Sequence, residues 1–141
     1  MANTLHILAR RRYETQLKEA VEHGVPPLDY NVYVRLLETS FANGFKCGYC
    51  KVDLKLNDTY PYYDVPSIDH KIPLDLDGPN TEDNLCVCCH RCNAIKSTMT
   101  DETYKKFLLL MNTDPFLKVK MFDELWRGRL ASKMSRVYPG A

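Results

Sequence analysis

Four of the six cysteines in this 141-residue chain form two Cys-x-x-Cys pairs, Cys47/Cys50 in CGYC and Cys89/Cys92 in CHRC. Such a spacing lets two thiolates of one turn face a single ion. Two pairs together make a tetrahedral four-thiolate zinc site. An ion held this way ties distant segments, so all that lies between Cys50 and Cys89 must leave the metal and return to it. The second pair is ambiguous in register, because Asn84 to Asn93 reads NLCVCCHRCN and contains Cys86/Cys89 as well as Cys89/Cys92. A strand over 85–88 would set Cys86 and Cys88 on one face, a natural place for small buried thiols, which favours Cys89 with Cys92.

The returning stretch, Ser67 to Lys96, reads SIDHKIPLDLDGPNTEDNLCVCCHRCNAIK. It holds Asp69-His70, then Asn84 fourteen residues after the histidine, then Cys-x-x-Cys-Asn-x-x-Lys ending in Asn93 and Lys96. These parts, in this order, resemble the HNH (ββα-metal) endonuclease family, over about Phe45 to Ser97. An Asn directly after the last zinc cysteine is most similar to the endonuclease VII-type phage nucleases. The resemblance implies an α+β fold, a ββα-metal core with a four-cysteine zinc knuckle on Cys47, Cys50, Cys89 and Cys92. It also implies a metal-dependent DNA endonuclease. Asp69-His70 matches the family's Asp-His, Asn84 its central Asn, and Asn93 its final His/Asn. Only the Cys89/Cys92 register leaves Asn93 directly after the second ligand; with Cys86/Cys89, His90 would inherit that position.

Those residue types suit the chemistry. A phosphodiester yields to an activated water, charge stabilisation at the phosphate and help for the departing oxygen. Histidine, with an unperturbed pKa of about 6.5, is mostly neutral at cellular pH and serves as general base; His70 takes that role. A hard cation, Mg²⁺ or Mn²⁺, takes the other two and prefers a carboxylate and an amide oxygen, here Asp69 and Asn93. Alternation along a strand sends Asp69 and His70 to opposite sides, so a bend at the strand end must reunite them. Asn84 is expected to hold the loop closed and keep His70 aimed. Lys96 and His90, each one helical turn from Asn93, are candidates for DNA contact.

Length and composition fit one domain, 1–141, with a zinc core at 45–97 and helical flanks at 1–44 and 98–141. The N-terminus does not read as a signal peptide and no apolar run approaches a membrane span, so a reducing, intracellular compartment is expected. The net charge of +1 is weak for a polyanion binder, but the charges are segregated. Residues 64–83 carry six acids against Lys71 alone, while residues 84–141 carry ten Lys/Arg against five Asp/Glu. Local patches, not totals, govern DNA binding.

Helical spacing predicts a first helix over 4–23, with Leu5, Leu8, Tyr13, Leu17, Ala20 and Val21 inward. Arg10, Arg11 and Arg12 on it are either a solvated face or phosphate contacts. A second helix over 28–43 is expected to bury Tyr30, Val34, Leu37 and Phe41, between Asp29 and Gly44. Gly48 is expected to let the first knuckle turn. The TYPYY run at 59–63 reads as a packed surface loop rather than a base-stacking one. Strands are expected at 67–72 and 85–88, a motif helix at 89–97, and a helix from Thr100-Asp101 to 111. A basic amphipathic helix over 114–134 would offer Arg127 and Arg129 to DNA. One motif cuts one strand, so double-strand cleavage would require a homodimer. The rival reading is a non-catalytic zinc module that binds DNA or protein, which needs the cysteines but not Asp69, His70 and Asn93.

Overall fold

A computed structural model describes residues 2–56, 64–113 and Phe116. At its centre two short strands, β1 (Pro66–His70) and β2 (Leu85–Cys89), pair antiparallel with His70 opposite Leu85 and Pro66 opposite Cys89. Helix α3 (His90–Lys96) leaves β2 without a connecting loop and packs back on both strands, making the ββα unit. Cys89 is its N-cap, the sulfur accepting from Cys92 N at 3.3 Å, so the second cysteine pair also starts the helix. Both strands end within two residues of the predicted limits, and α+β is the class observed.

The loop between the strands contains two single 3₁₀ turns, Leu74–Leu76 and Glu82–Asn84. It folds on itself so tightly that a Cβ at Gly78 would collide with the carbonyl oxygen of Ile72. No side chain fits there.

Two long helices cover the unit. Helix α1 (Ala2–His23) is closed by paired bonds from Gly24 N to Val21 O and from Val25 N to Ala20 O, the Schellman arrangement. Helix α2 (Tyr30–Ala42) begins at Asp29, whose side chain accepts from Asn31 N, and packs between α1 and β2. The stripe on α1 is shifted from the expected one. Val21 is 82% exposed, while Ala9 and Gln16 are buried. Ala20 is buried as well, and the Gln16 amide is satisfied by the backbone of Leu28 in both directions. On α2 the buried set is Val32, Tyr33, Val34 and Leu37, wider than predicted because the helix has neighbours on two sides; Tyr30 is half-buried, and Phe41 lies at the rim, its ring edge against Phe45. Helix α4 (Asp101–Asn112) starts as expected, with the Thr100 hydroxyl accepting from Thr103 N, and buries Tyr104, Leu108 and Met111. The TYPYY run and the helix expected over 114–134, with Arg127 and Arg129, lie outside the described residues, Phe116 excepted. No described helix is long and apolar enough to cross a membrane.

Candidate active site and cysteine cluster

The sulfurs of Cys47, Cys50, Cys89 and Cys92 lie within 4.8 Å of one another. Cys50 and Cys89 are separated by 3.8 Å, the spacing of about 3.8 Å that a tetrahedron with metal–sulfur bonds near 2.3 Å requires. Tyr49 N and Cys50 N both point at Cys47 Sγ from 3.4 Å, a knuckle of amide donors around a thiolate. Protons cannot be shared evenly among four such sulfurs. Hydrogen bonding from Cys50 holds the Cys47 thiol far below its usual range, while Cys47 and its neighbours push Cys89 far above. Full ionisation of all four therefore needs a cation, and the donor set suits zinc.

This cluster resolves the register in favour of Cys89 with Cys92. Cys86 faces Asp69 across the sheet and its sulfur points to Val87 O, outside the cluster. Cys88 is fully buried and Cys86 half-buried, both with thiols pushed up by burial. Gly48 serves differently from expectation. Its φ is not positive; a Cβ there would meet Cys86 Sγ at 2.5 Å, so the glycine permits the close packing of knuckle on sheet.

Asp69 and His70 end β1, both buried. Tyr49, from the knuckle turn, donates its hydroxyl to Asp69 Oδ2 at 2.8 Å, and Lys96 Nζ lies 3.0 Å from the same oxygen. Burial pushes the Asp69 carboxyl up, and Lys96 and Tyr49 pull it back. No described residue donates to Oδ1. The imidazole of His70 reaches the loop between the strands, where Nε2 is 2.9 Å from Asn80 Oδ1. Asn84 pairs its side-chain amide with the backbone of Ile72, Oδ1 accepting from Ile72 N and Nδ2 donating to Ile72 O, both at 3.0 Å; a further bond reaches Pro79 O at 2.8 Å. It thereby extends the ladder one step past His70 and closes the loop. Asn93, half-buried on α3, donates to Ser67 Oγ at 2.8 Å.

Asp69, His70 and Asn93 line one cleft of about 490 Å³, whose far wall is α1, including Arg12 and His23. A carboxylate oxygen, an amide oxygen and an imidazole facing one space are the donors a hard cation and a water-activating base require. Arg12 holds Glu19 at 3.2 Å, and its Nε is buried without a partner. A second hollow continues past Asn93 along α1, lined by Arg11, Arg12, Ser67 and His90.

One expectation is corrected. Lys96 is completely buried; besides Asp69 it donates to His70 O at 2.9 Å, so it is an internal counter-ion and not a phosphate contact. Arg10 is turned to α2, its guanidinium 5.6 Å from the centre of the Tyr30 ring, and stands outside the cleft. The sequence reading missed Tyr49, Asn80, Gln16 and His23. The turn-rich composition of 75–80 hid Asn80 among loop formers. Tyr49 carried a usable signal, being locked between two proposed ligands.

Compared with known proteins, residues 47–98 match the family model described as HNH endonuclease. Searches of the curated proteins and of the solved structures each returned no match.

Proposed function

We propose that this chain is a metal-dependent DNA endonuclease that hydrolyses phosphodiester bonds, with His70 as general base and Asp69 and Asn93 as ligands of a divalent ion, Mg²⁺ or Mn²⁺. The observation that carries this reading is the convergence of Asp69, His70 and Asn93 on one cleft inside a segment that matches the HNH endonuclease model. When bound, the divalent ion supplies charge stabilisation at the phosphate and at the departing oxygen. Asp69 offers Oδ1, because its other oxygen is occupied by Tyr49 and Lys96. His70 takes the proton of the attacking water. Arg12 and Arg11 receive the phosphate backbone along α1, Arg12 exchanging Glu19 for a phosphate oxygen. His90, in the second hollow, is a further DNA contact. Zinc on the four cysteines is structural, since four protein ligands leave no open position.

One observation favours a second reading. Lys96 already neutralises Asp69, as a zinc-stabilised module that binds DNA or protein without cutting it would allow. Nicking of supercoiled plasmid separates the two readings. The nuclease converts it to open circles with added Mg²⁺ or Mn²⁺, stops on chelation of that ion, and loses roughly 100- to 10,000-fold in rate on His70→Ala with zinc retained. A wild-type protein with full zinc that leaves the plasmid intact in both ions belongs to the second reading. Linear duplex and four-way junction in the same panel assign the substrate form.

A further inference from the structure

The imidazole of His70 is held by a chain of hydrogen bonds that begins outside the catalytic motif. Its first link is backbone. Leu28 N–H donates to Gln16 Oε1 at 3.1 Å and Gln16 Nε2 donates to Leu28 O at 3.3 Å, so the orientation of the buried Gln16 amide is fixed by groups that cannot exchange roles. The next link is Asn80. Its Nδ2 lies 2.9 Å from Pro26 O and 3.4 Å from Gln16 Oε1. Both are acceptors only, so the nitrogen of Asn80 faces them and the oxygen faces the other way. That oxygen is 2.9 Å from His70 Nε2. An acceptor at this distance requires a donor opposite, and Nε2 of neutral His70 therefore carries the proton. The lone pair is left on Nδ1, where a base can use it.

Gln16 belongs to α1 and Pro26 to the α1–α2 connection, both upstream of the segment that matches the endonuclease model. Asn84 closes the loop through the backbone of Ile72 and Pro79, as expected, and makes no bond to the imidazole of His70. We propose that Asn80 is the positioning residue of His70, anchored by Gln16 and Pro26, and that the helical hairpin α1–α2 is thereby a working part of the active site. The inference rests on the nuclease reading for its consequence on rate, but not for the hydrogen-bond arrangement itself.

The test uses the full-length, zinc-loaded protein with ¹⁵N-labelled histidine, and reads two things. Nitrogen shifts in the neutral form should report His70 protonated on Nε2 alone, with a slowly exchanging ring N–H, and Asn80→Ala should give mixed tautomers and fast exchange. In cleavage, Asn80→Ala should lower kcat on the order of 10- to 100-fold with KM and zinc content unchanged, as for a lost orienting bond. Gln16→Leu should act in the same direction as Asn80→Ala, and more weakly. Neutral His70 protonated on Nδ1 would overturn the proposal, as would Asn80→Ala with wild-type kcat. Should the wild type cut nothing, the nuclease reading fails, and the tautomer measurement still decides whether Asn80 holds the ring.

Discussion

The hydroxyl of Tyr49 donates to Asp69 Oδ2 at 2.8 Å, joining the cysteine knuckle to the cleft lined by Asp69, His70 and Asn93. Tyr49 lies between Cys47 and Cys50, so forming the metal cluster also delivers a donor to the carboxylate. Tyr49→Phe keeps the ring, which stands edge-on to Tyr104 with centroids 5.3 Å apart, and removes only the donor. A bond to a charged group contributes about 1.5–3 kcal/mol, and urea unfolding should register a loss of that order. The Asp69 carboxyl, already raised by burial, rises further without Tyr49. Less of it is ionised at low pH, so the rate should fall more at acidic than at alkaline pH. Identical stability and an identical profile would detach Tyr49 from Asp69.

The register of the second cysteine pair gives opposite outcomes in two variants. Cys92 is a member of the cluster and Cys86 is not. Cys92→Ala should lose the metal and with it a folding contribution on the order of 10 kcal/mol, giving insoluble or protease-sensitive protein. Cys86→Ala should keep one zinc per chain by elemental analysis. Metal loss in the Cys86 variant together with retention in the Cys92 variant would reverse the assignment.

His23 clasps the loop between the two strands to α1, with Nε2 at 2.7 Å from Asp75 Oδ1 and Nδ1 at 2.9 Å from Glu19 O. The Asp75 bond first, then the Glu19 carbonyl, raise its pKa in the folded state. The folded form thus binds the proton more tightly than an unfolded chain whose histidine titrates near about 6.5. This contribution is complete below about pH 6.5 and is lost as the pH rises through the higher folded value. His23→Gln should therefore lower Tm slightly near about pH 6 and leave it unchanged near about pH 9, the effect staying small because the pair is solvated. A Tm difference that grows with pH would contradict the clasp.

Much of the core was legible because its signals are local. The two cysteine pairs, Asp69-His70, and Thr100 and Asp29 as caps each sit within a turn of what they act on, and the structure keeps them there. What escaped depends on pairs far apart in sequence. Asn80 meets Gln16 and Pro26, and His23 meets Asp75, only because the α1–α2 hairpin lies against the loop. Lys96 looked like a phosphate contact from its helical spacing alone. The deciding fact was a tertiary one, that α3 is packed deeply enough to bury Cys92, Ile95 and Lys96 together. Val21 shows the same limit, since an apolar residue at the right period is 82% exposed beside the buried Ala20.

The pair Lys96–Asp69 carries the last prediction, and it separates an internal counter-ion from a DNA contact. Lys96 is wholly buried, with Nζ 3.0 Å from Asp69 Oδ2 and 2.9 Å from His70 O. Lys96→Met keeps the length of the side chain and removes the charge, leaving a carboxylate buried without its cation. Breaking such a pair on one side costs about 3–5 kcal/mol, whereas a surface lysine is worth within about 0.5 kcal/mol. Asp69→Asn strands the ammonium instead and should also destabilise. Because each single change already breaks the same pair, Lys96→Met with Asp69→Asn should cost clearly less than the two added, a coupling measurable by urea unfolding in a double-mutant cycle. DNA binding supplies the independent check. A buried lysine releases no counterions, so Lys96→Met should leave the slope of log affinity against log salt unchanged, while Arg11→Gln, on the exposed α1 face, should reduce it by about one. Additive stabilities together with a reduced slope for Lys96→Met would put the ammonium on the phosphate and take it away from Asp69.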